Sequence, residues 1–259
     1  MKAIELYNNL CERIPTSLSC ECDRDGLESC PTPDKEVKRV LIALDVTDEV
    51  IDRAVNEGFD VIAAHHPLFF GQLESVNATQ IKGARAVKLA KNDISVMSFH
   101  TRLDAVEGGV NDTLAAAIGL KNVFTVELDT DGIMRMGELE REMDAAEYCE
   151  IVKRGLSDPQ SPATVILSPA GRKVKKVALL GGGGGKFAGI ALDAGADTYV
   201  TGDMNYHEYL SAPEKKMNLI TAGHFHTEFP VCRVLASFIG DICPEAYIEV
   251  YCSDKMKTF

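Results

Sequence analysis

Five of the six histidines fall in three short stretches that keep company with carboxylates: His65-His66-Pro67, His100-x-x-x-Asp104 and His224-x-His226-x-Glu228. Neutral imidazole and carboxylate together are the ligand set of borderline divalent metals, zinc, iron and manganese among them. Each stretch also has a plain structural reading. A His-His pair can cap a strand-end turn, Asp104 alone is an ordinary loop carboxylate, and an i, i+4 His/Glu pair is common on helix surfaces. Spacing sharpens the choice. On a helix His224 and Glu228 share one face, whereas His226 points off it. Adjacent strand residues point to opposite sides, yet ahead of Pro67 the chain can turn and aim the rings of His65 and His66 into one cleft. Together the three clusters point to a metalloprotein holding two ions. Three imidazoles and two bridging carboxylates fall short of the roughly eight to twelve bonds that two ions need. Water or substrate must complete the shells, which marks an open site. A hydroxide held between two ions is a nucleophile at neutral pH.

Two further features compete for attention. The run Gly181–Gly185 followed by Lys186 invites a phosphate-loop reading, but Leu180 stands where the Walker pattern needs Gly, and Phe187 follows the lysine. A tight strand-to-helix turn remains, with an anion held on its backbone N–H groups as the alternative. Cys20-x-Cys22, with Cys30 and the upstream Cys11, could form a small zinc knuckle. The spacing matches no strong pattern, and plain thiols are the simpler reading.

The elements that must position these residues alternate in an α/β rhythm. Apolar runs predict strands at Val40–Leu44, Asp60–Ala64, Ile94–Phe99, Ala163–Leu167, Val174–Leu180, Thr198–Thr201, Asn218–Thr221 and Ala246–Tyr251. The second of these delivers His65 and His66 at its C-terminal end, and the third delivers His100. Open α/β sheets place their sites at such ends. Helices are predicted from the N-terminus to Ile14, from Thr47, over Ile81–Ala90 and Thr113–Ile118, through Ala194, and over His207–Leu210. Met136–Leu156 reads as one or two helices, and Gly223-His224 as the start of one last long helix. Residues 1–125 form a first α/β lobe carrying His65, His66, His100 and Asp104. Residues 126–259 form a second, whose C-terminal part returns to the site with His224 and Glu228. Pro159, Pro162 and Pro169 punctuate the middle of the chain.

With 259 residues and 46% hydrophobic content, the chain can bury a substantial core. A net charge of −12 argues against a nucleic-acid binder, which needs a basic face. The opening helix has no secretory character, no stretch reaches bilayer length, and eight cysteines without a signal read as reduced thiols. A cytoplasmic protein without membrane contact is expected.

In order along the chain, Ala64-His65-His66-Pro67-Leu68, His100-Thr101-Arg102-Leu103-Asp104, Gly108-Gly109-Val110-Asn111-Asp112, Thr201-Gly202-Asp203 with His207, and Gly223-His224-Phe225-His226-Thr227-Glu228 resemble the GTP cyclohydrolase I type 2 homologues. These are also called the Nif-three-like dinuclear metal-centre proteins. The resemblance spans nearly the whole chain and corresponds to the short form that lacks an inserted middle domain. It implies a two-lobed α/β fold with mixed or parallel sheets flanked by helices, and a toroidal hexamer built as a trimer of dimers. It also implies that His65, His66, Asp104, His224 and Glu228 bind two divalent ions (zinc, iron or manganese), with Asp104 and Glu228 as bridges. His100 would be the proton shuttle of a metal-dependent hydrolase acting on a small nucleotide-like substrate, with opening of the GTP purine ring as the literal form. Near the N-terminus the family's Trp-Asp-Asn-x-Gly-Leu stretch is replaced by Cys22-Asp23-Arg24-Asp25-Gly26-Leu27. A metal-binding regulatory or scaffold protein, presenting a ring assembly to partners without turnover, is the alternative reading.

Overall fold

The computed structural model describes residues 1–21 and 23–256, so the Cys22 arm of the knuckle reading lies outside the described residues. The chain forms two compact units. One comprises Met1–Leu103 with Cys232–Ser253, and the other Asp104–Val231 with Asp254–Phe259.

The first unit is built on a mixed five-stranded sheet. Its strands are β1 (Gly26–Ser29), β2 (Arg39–Ala43), β3 (Val61–Ala64), β4 (Ser95–Ser98) and the closing strand Tyr247–Val250. They lie in the order β1, β4, β3, β2, closing strand, with β1 antiparallel to β4 and the other pairs parallel. Strands β3 and β4 are buried along their whole length, which is why they read as continuous short runs without alternation. Helix Asp48–Glu57 is capped by Thr47, whose hydroxyl accepts the Val50 N–H, and it packs Val50, Ile51 and Ala54 into the core beside Leu41, Ile62 and Val96. Each of the Val, Ile and Leu side chains among these, fully buried, contributes about 1.5–3 kcal/mol relative to exposure. Helices Ala3–Arg13 and Ile81–Lys91 agree closely with the sequence prediction.

The second unit carries a mixed six-stranded sheet of β5 (Lys121–Thr125), β6 (Arg135–Met143), β7 (Ile166–Ser168), β8 (Val174–Leu180), β9 (Thr198–Thr201) and β10 (Asn218–Thr221). Their order is β5, β6, β8, β9, β10, β7. The helix predicted over Met136–Leu156 forms only in its second part. The stretch from Met136, rich in Met, Glu, Leu and Arg, has helical propensity, but it pairs antiparallel with both β5 and β8. Only Ala145–Leu156 is helical. Pairing on both sides overrides local propensity, and the buried Arg135 is held by Asp112 at 2.7 Å. The predicted last long helix is likewise two, His224–Glu228 and Val231–Ile242. Pro230 lies between them and has no N–H to continue the ladder. Among the described residues, no helix is long and apolar enough to cross a membrane.

Candidate metal centre

In the first unit, β3 runs out into His65 and His66, both buried. The backbone N–H of His66 donates to Leu44 O at 2.9 Å, continuing the ladder one step past β3. The chain then bends at Pro67, and both rings reach one place with centroids 4.9 Å apart. His100 follows β4, and its ring lies 5.3 Å from that of His65 and 5.6 Å from that of His66. One ring nitrogen from each of the three can be chosen so that all lie within 4.8 Å of one another.

Hydrogen bonds select which nitrogen each ring offers. His65 Nδ1 lies 2.9 Å from Phe99 O, a pure acceptor, so Nδ1 carries the proton and Nε2 presents its lone pair. His66 Nδ1 meets Asp45 Oδ1 at 2.8 Å, and His100 Nδ1 meets Asp23 Oδ1 at 3.0 Å. Carboxylate or carbonyl partners on Nδ1 are the usual outer support of metal-binding imidazoles.

Around these rings the N-terminal segment does work that its altered sequence did not announce. Burial alone would raise the Asp23 carboxyl, but hydrogen bonds from His100 and Thr101 outweigh it and hold the group well below the usual carboxylate range. Asp25 accepts the His100 backbone N–H at 2.9 Å and the Arg102 Nε–H at 2.7 Å. Arg102 is fully buried, with further bonds to the carbonyls of Ile14 and Ser98. Glu28 accepts the N–H groups of Leu68 and Phe69 at 2.7 and 3.0 Å and so fixes the segment that follows Pro67. Burial raises its carboxyl despite these bonds.

The second unit presents Asp104, His224 and Glu228. His224 Nε2 and Glu228 Oε2 are 3.2 Å apart, the same-face pair that the i, i+4 spacing predicts. Carboxylate oxygens of Asp104 and Glu228 come within 4.8 Å of each other. His224 Nδ1 bonds Asp203 Oδ2 at 2.8 Å, repeating the support seen for His66. Gly223, at φ +83°, makes the left-handed turn that leads from β10 into the helix carrying His224 and Glu228. His226 lies elsewhere, with Nε2 2.9 Å from Ser161 Oγ.

The glycine run after β8 has a role that neither phosphate-loop nor anion reading foresaw. The N–H groups of Gly181, Gly182 and Gly184 donate to Asn111 Oδ1, Thr227 Oγ1 and Thr201 Oγ1 at 2.8, 3.0 and 3.1 Å. They are committed inside the protein. A Cβ on Gly182 would sit 2.0 Å from Glu228 Oε1 and 3.0 Å from His224 Nε2. The backbone is bare here so that Glu228 and His224 can lie against it. Among the described residues, the N-terminal cysteines join none of the groups that could hold a metal. Cys11 and Cys30 take hydrogen bonds from Arg102 and Ser95 instead.

The sequence model of the Duf34/NIF3 (NGG1p interacting factor 3) family matches residues 1–258. A Clostridium perfringens protein named GTP cyclohydrolase 1 type 2 homolog is 34% identical over 235 residues, covering 89% of this chain and 88% of its own. Among solved structures, a Staphylococcus aureus hypothetical protein superposes with a TM-score of 0.89 at 26% identity, covering 100% of this chain and 99% of that one. A Bacillus cereus protein related to NIF3 does so at 0.88 with 24% identity and the same coverage, and so speaks for the fold alone.

Proposed function

This chain belongs to the Duf34/NIF3 family, and from that premise we propose that it is a dinuclear metal-dependent hydrolase acting on a small nucleotide-like molecule. His65, His66, Asp104, His224 and Glu228 would bind two divalent ions. One observation carries the reading. Three of these imidazoles have Nδ1 turned to a carbonyl or carboxylate, which leaves Nε2 as the donor atom each offers. The cradle at Gly182 supports it, since the fold gives up a side chain there to seat Glu228 and His224. When bound, the ions supply Lewis acidity and a water acidic enough to serve as a nucleophile near neutral pH.

The chain's own groups have separable tasks. Asp45 and Asp203 hold His66 and His224 in tautomer and orientation. His100 moves a proton at Nε2 while Asp23 fixes Nδ1, an arrangement suited to a general acid or base. Opening of the GTP purine ring is the specific reaction suggested by the names of the relatives.

The test pairs elemental analysis with a substrate screen. Protein purified without air should carry about two ions per chain and release formate or phosphate from a nucleotide. Asp104→Ala and Glu228→Ala should lower occupancy towards one or none and abolish turnover, His65→Ala should cost chiefly one ion, and His226→Ala should leave occupancy unchanged. Steady turnover by metal-stripped protein, or full activity in Asp104→Ala, would sink the mechanism. Silence on every substrate with tight capture of a protein partner would favour the scaffold reading.

We also infer self-association into a hexamer built as a trimer of dimers. The exposed edge strand β5, with Val123 and Phe124 at 36% and 54% exposure, supports an interface there. Light scattering should return six times the chain mass; a monomer refutes it.

A further inference from the structure

The second unit contains a cavity of about 800 Å³. Its size falls in the range of small-molecule sites. One wall is polar and largely buried. Ser161 is 6% exposed and His226 9%, and the Asp254 side chain is 6% exposed. Ser161 Oγ donates to Asp254 Oδ2 and lies 2.9 Å from His226 Nε2. Ile166, Met204 and Met256 add apolar lining, and Asp203 also borders the space. Among the described residues, no lysine or arginine lines the space. Each of the two carboxylates has an imidazole beside it, His226 Nε2 3.8 Å from Asp254 Oδ2 and His224 Nδ1 2.8 Å from Asp203 Oδ2, but neither is met by a guanidinium or ammonium from the lining.

A largely buried carboxylate in such a wall selects its ligand by charge. A phosphate or carboxylate would meet like charge in a poorly solvated place, whereas a cation or N–H donor gains a charge-assisted bond. The apolar lining adds a preference for a ligand with an apolar body, and a ring of this volume supplies one. We propose that this cavity is a binding site for a flat, cationic or amine-bearing heterocycle, and that it excludes anionic rings of the same size. Asp254 and Ser161 take the exocyclic amine, and Ile166, Met204 and Met256 receive the ring. Nothing in this site requires a metal, so it stands or falls apart from the hydrolase reading. Because Asp203 both borders the cavity and bonds His224, a ligand seated here lies one residue from a proposed metal ligand.

The test titrates the full chain calorimetrically with two probes built on one ring, 2-aminobenzimidazole and benzimidazole-2-carboxylate, before and after treatment with a chelator. The amine should bind saturably at one site per chain, at least about tenfold more tightly than the carboxylate, and equally after chelation. Asp254→Asn should weaken the amine about tenfold or more, and Met204→Trp, which fills the apolar side, should abolish its binding. Circular dichroism confirms that each variant is folded, and the two-probe comparison on the unaltered chain holds whatever the variants do. Absence of saturable amine binding, equal binding of the carboxylate, loss of binding on chelation, or indifference to both folded variants overturns the proposal.

Discussion

Replacing Gly182 by alanine adds a single methyl group at the place where the backbone meets Glu228 and His224. Gly182 has φ +63°, and the new Cβ would lie 2.0 Å from Glu228 Oε1, 2.9 Å from Glu228 Cδ and 3.0 Å from His224 Nε2. The left-handed conformation alone costs an alanine about 1–2 kcal/mol. For a chain of this size that lowers the melting temperature by roughly 2–8 °C. The collision does more than the strain. Ordinary van der Waals contact begins near 3.4 Å, so the carboxylate must move by more than an ångström. Metal–ligand distances tolerate only about 0.2 Å. On the proposed dinuclear reading, the variant should therefore stay folded yet bind one ion or fewer where the parent would bind about two. Gly183→Ala is the matched control, because a Cβ there meets nothing within 4 Å. Elemental analysis after gel filtration, with melting curves for all three proteins, reads the result. Parental occupancy in Gly182→Ala, or equal losses in both variants, refutes the reasoning.

Three other outcomes follow from the described geometry. Asp45→Asn and Asp203→Asn should each weaken metal binding about 10–100-fold in chelator competition while leaving circular dichroism unchanged. Arg102→Met should cost about 3–5 kcal/mol in urea denaturation, because the buried Asp25 loses its partner; a loss under 1 kcal/mol would contradict this. Burial pushes the Cys149 thiol up to about 11, so its alkylation, followed by peptide mass mapping, should be slow at pH 8 and rise about tenfold per pH unit towards that value. Fast labelling at pH 7 would show that the thiol is not held this way.

What the sequence made legible, and what it hid, divides along the range of the interactions. Strands β2, β3 and β4 could be read because burial on both faces leaves short apolar runs, and β3 and β4 run out into the histidines. The His224–Glu228 pair could be read because four residues bring a helix back to the same face. Asp45 and Asp203 could not, since each stands 21 residues from the imidazole it orients, and Asp23 stands 77 from His100. A lone aspartate in a loop carries no local mark of such a partner. Strand β6 was hidden for a related reason, its helix-forming residues being overruled by neighbours at distant positions. The glycine run was visible, but its meaning lay in Glu228, more than forty residues further on.

The closing strand has a consequence for how the chain is made. In the finished sheet it pairs with β2, the flank opposite β1. It leaves the ribosome about 150 residues after β4, with the whole contiguous part of the second unit translated in between. At roughly 5–20 residues per second, β2 waits some 8–30 s with one edge open. That edge is Val40-Leu41-Ile42-Ala43, an uncharged β-forming run of the kind that recruits other chains. Truncating the chain after Ile242 would make the delay permanent, so released chains that end there should partition to chaperones or aggregates, whereas released chains that end after Ser253 should not.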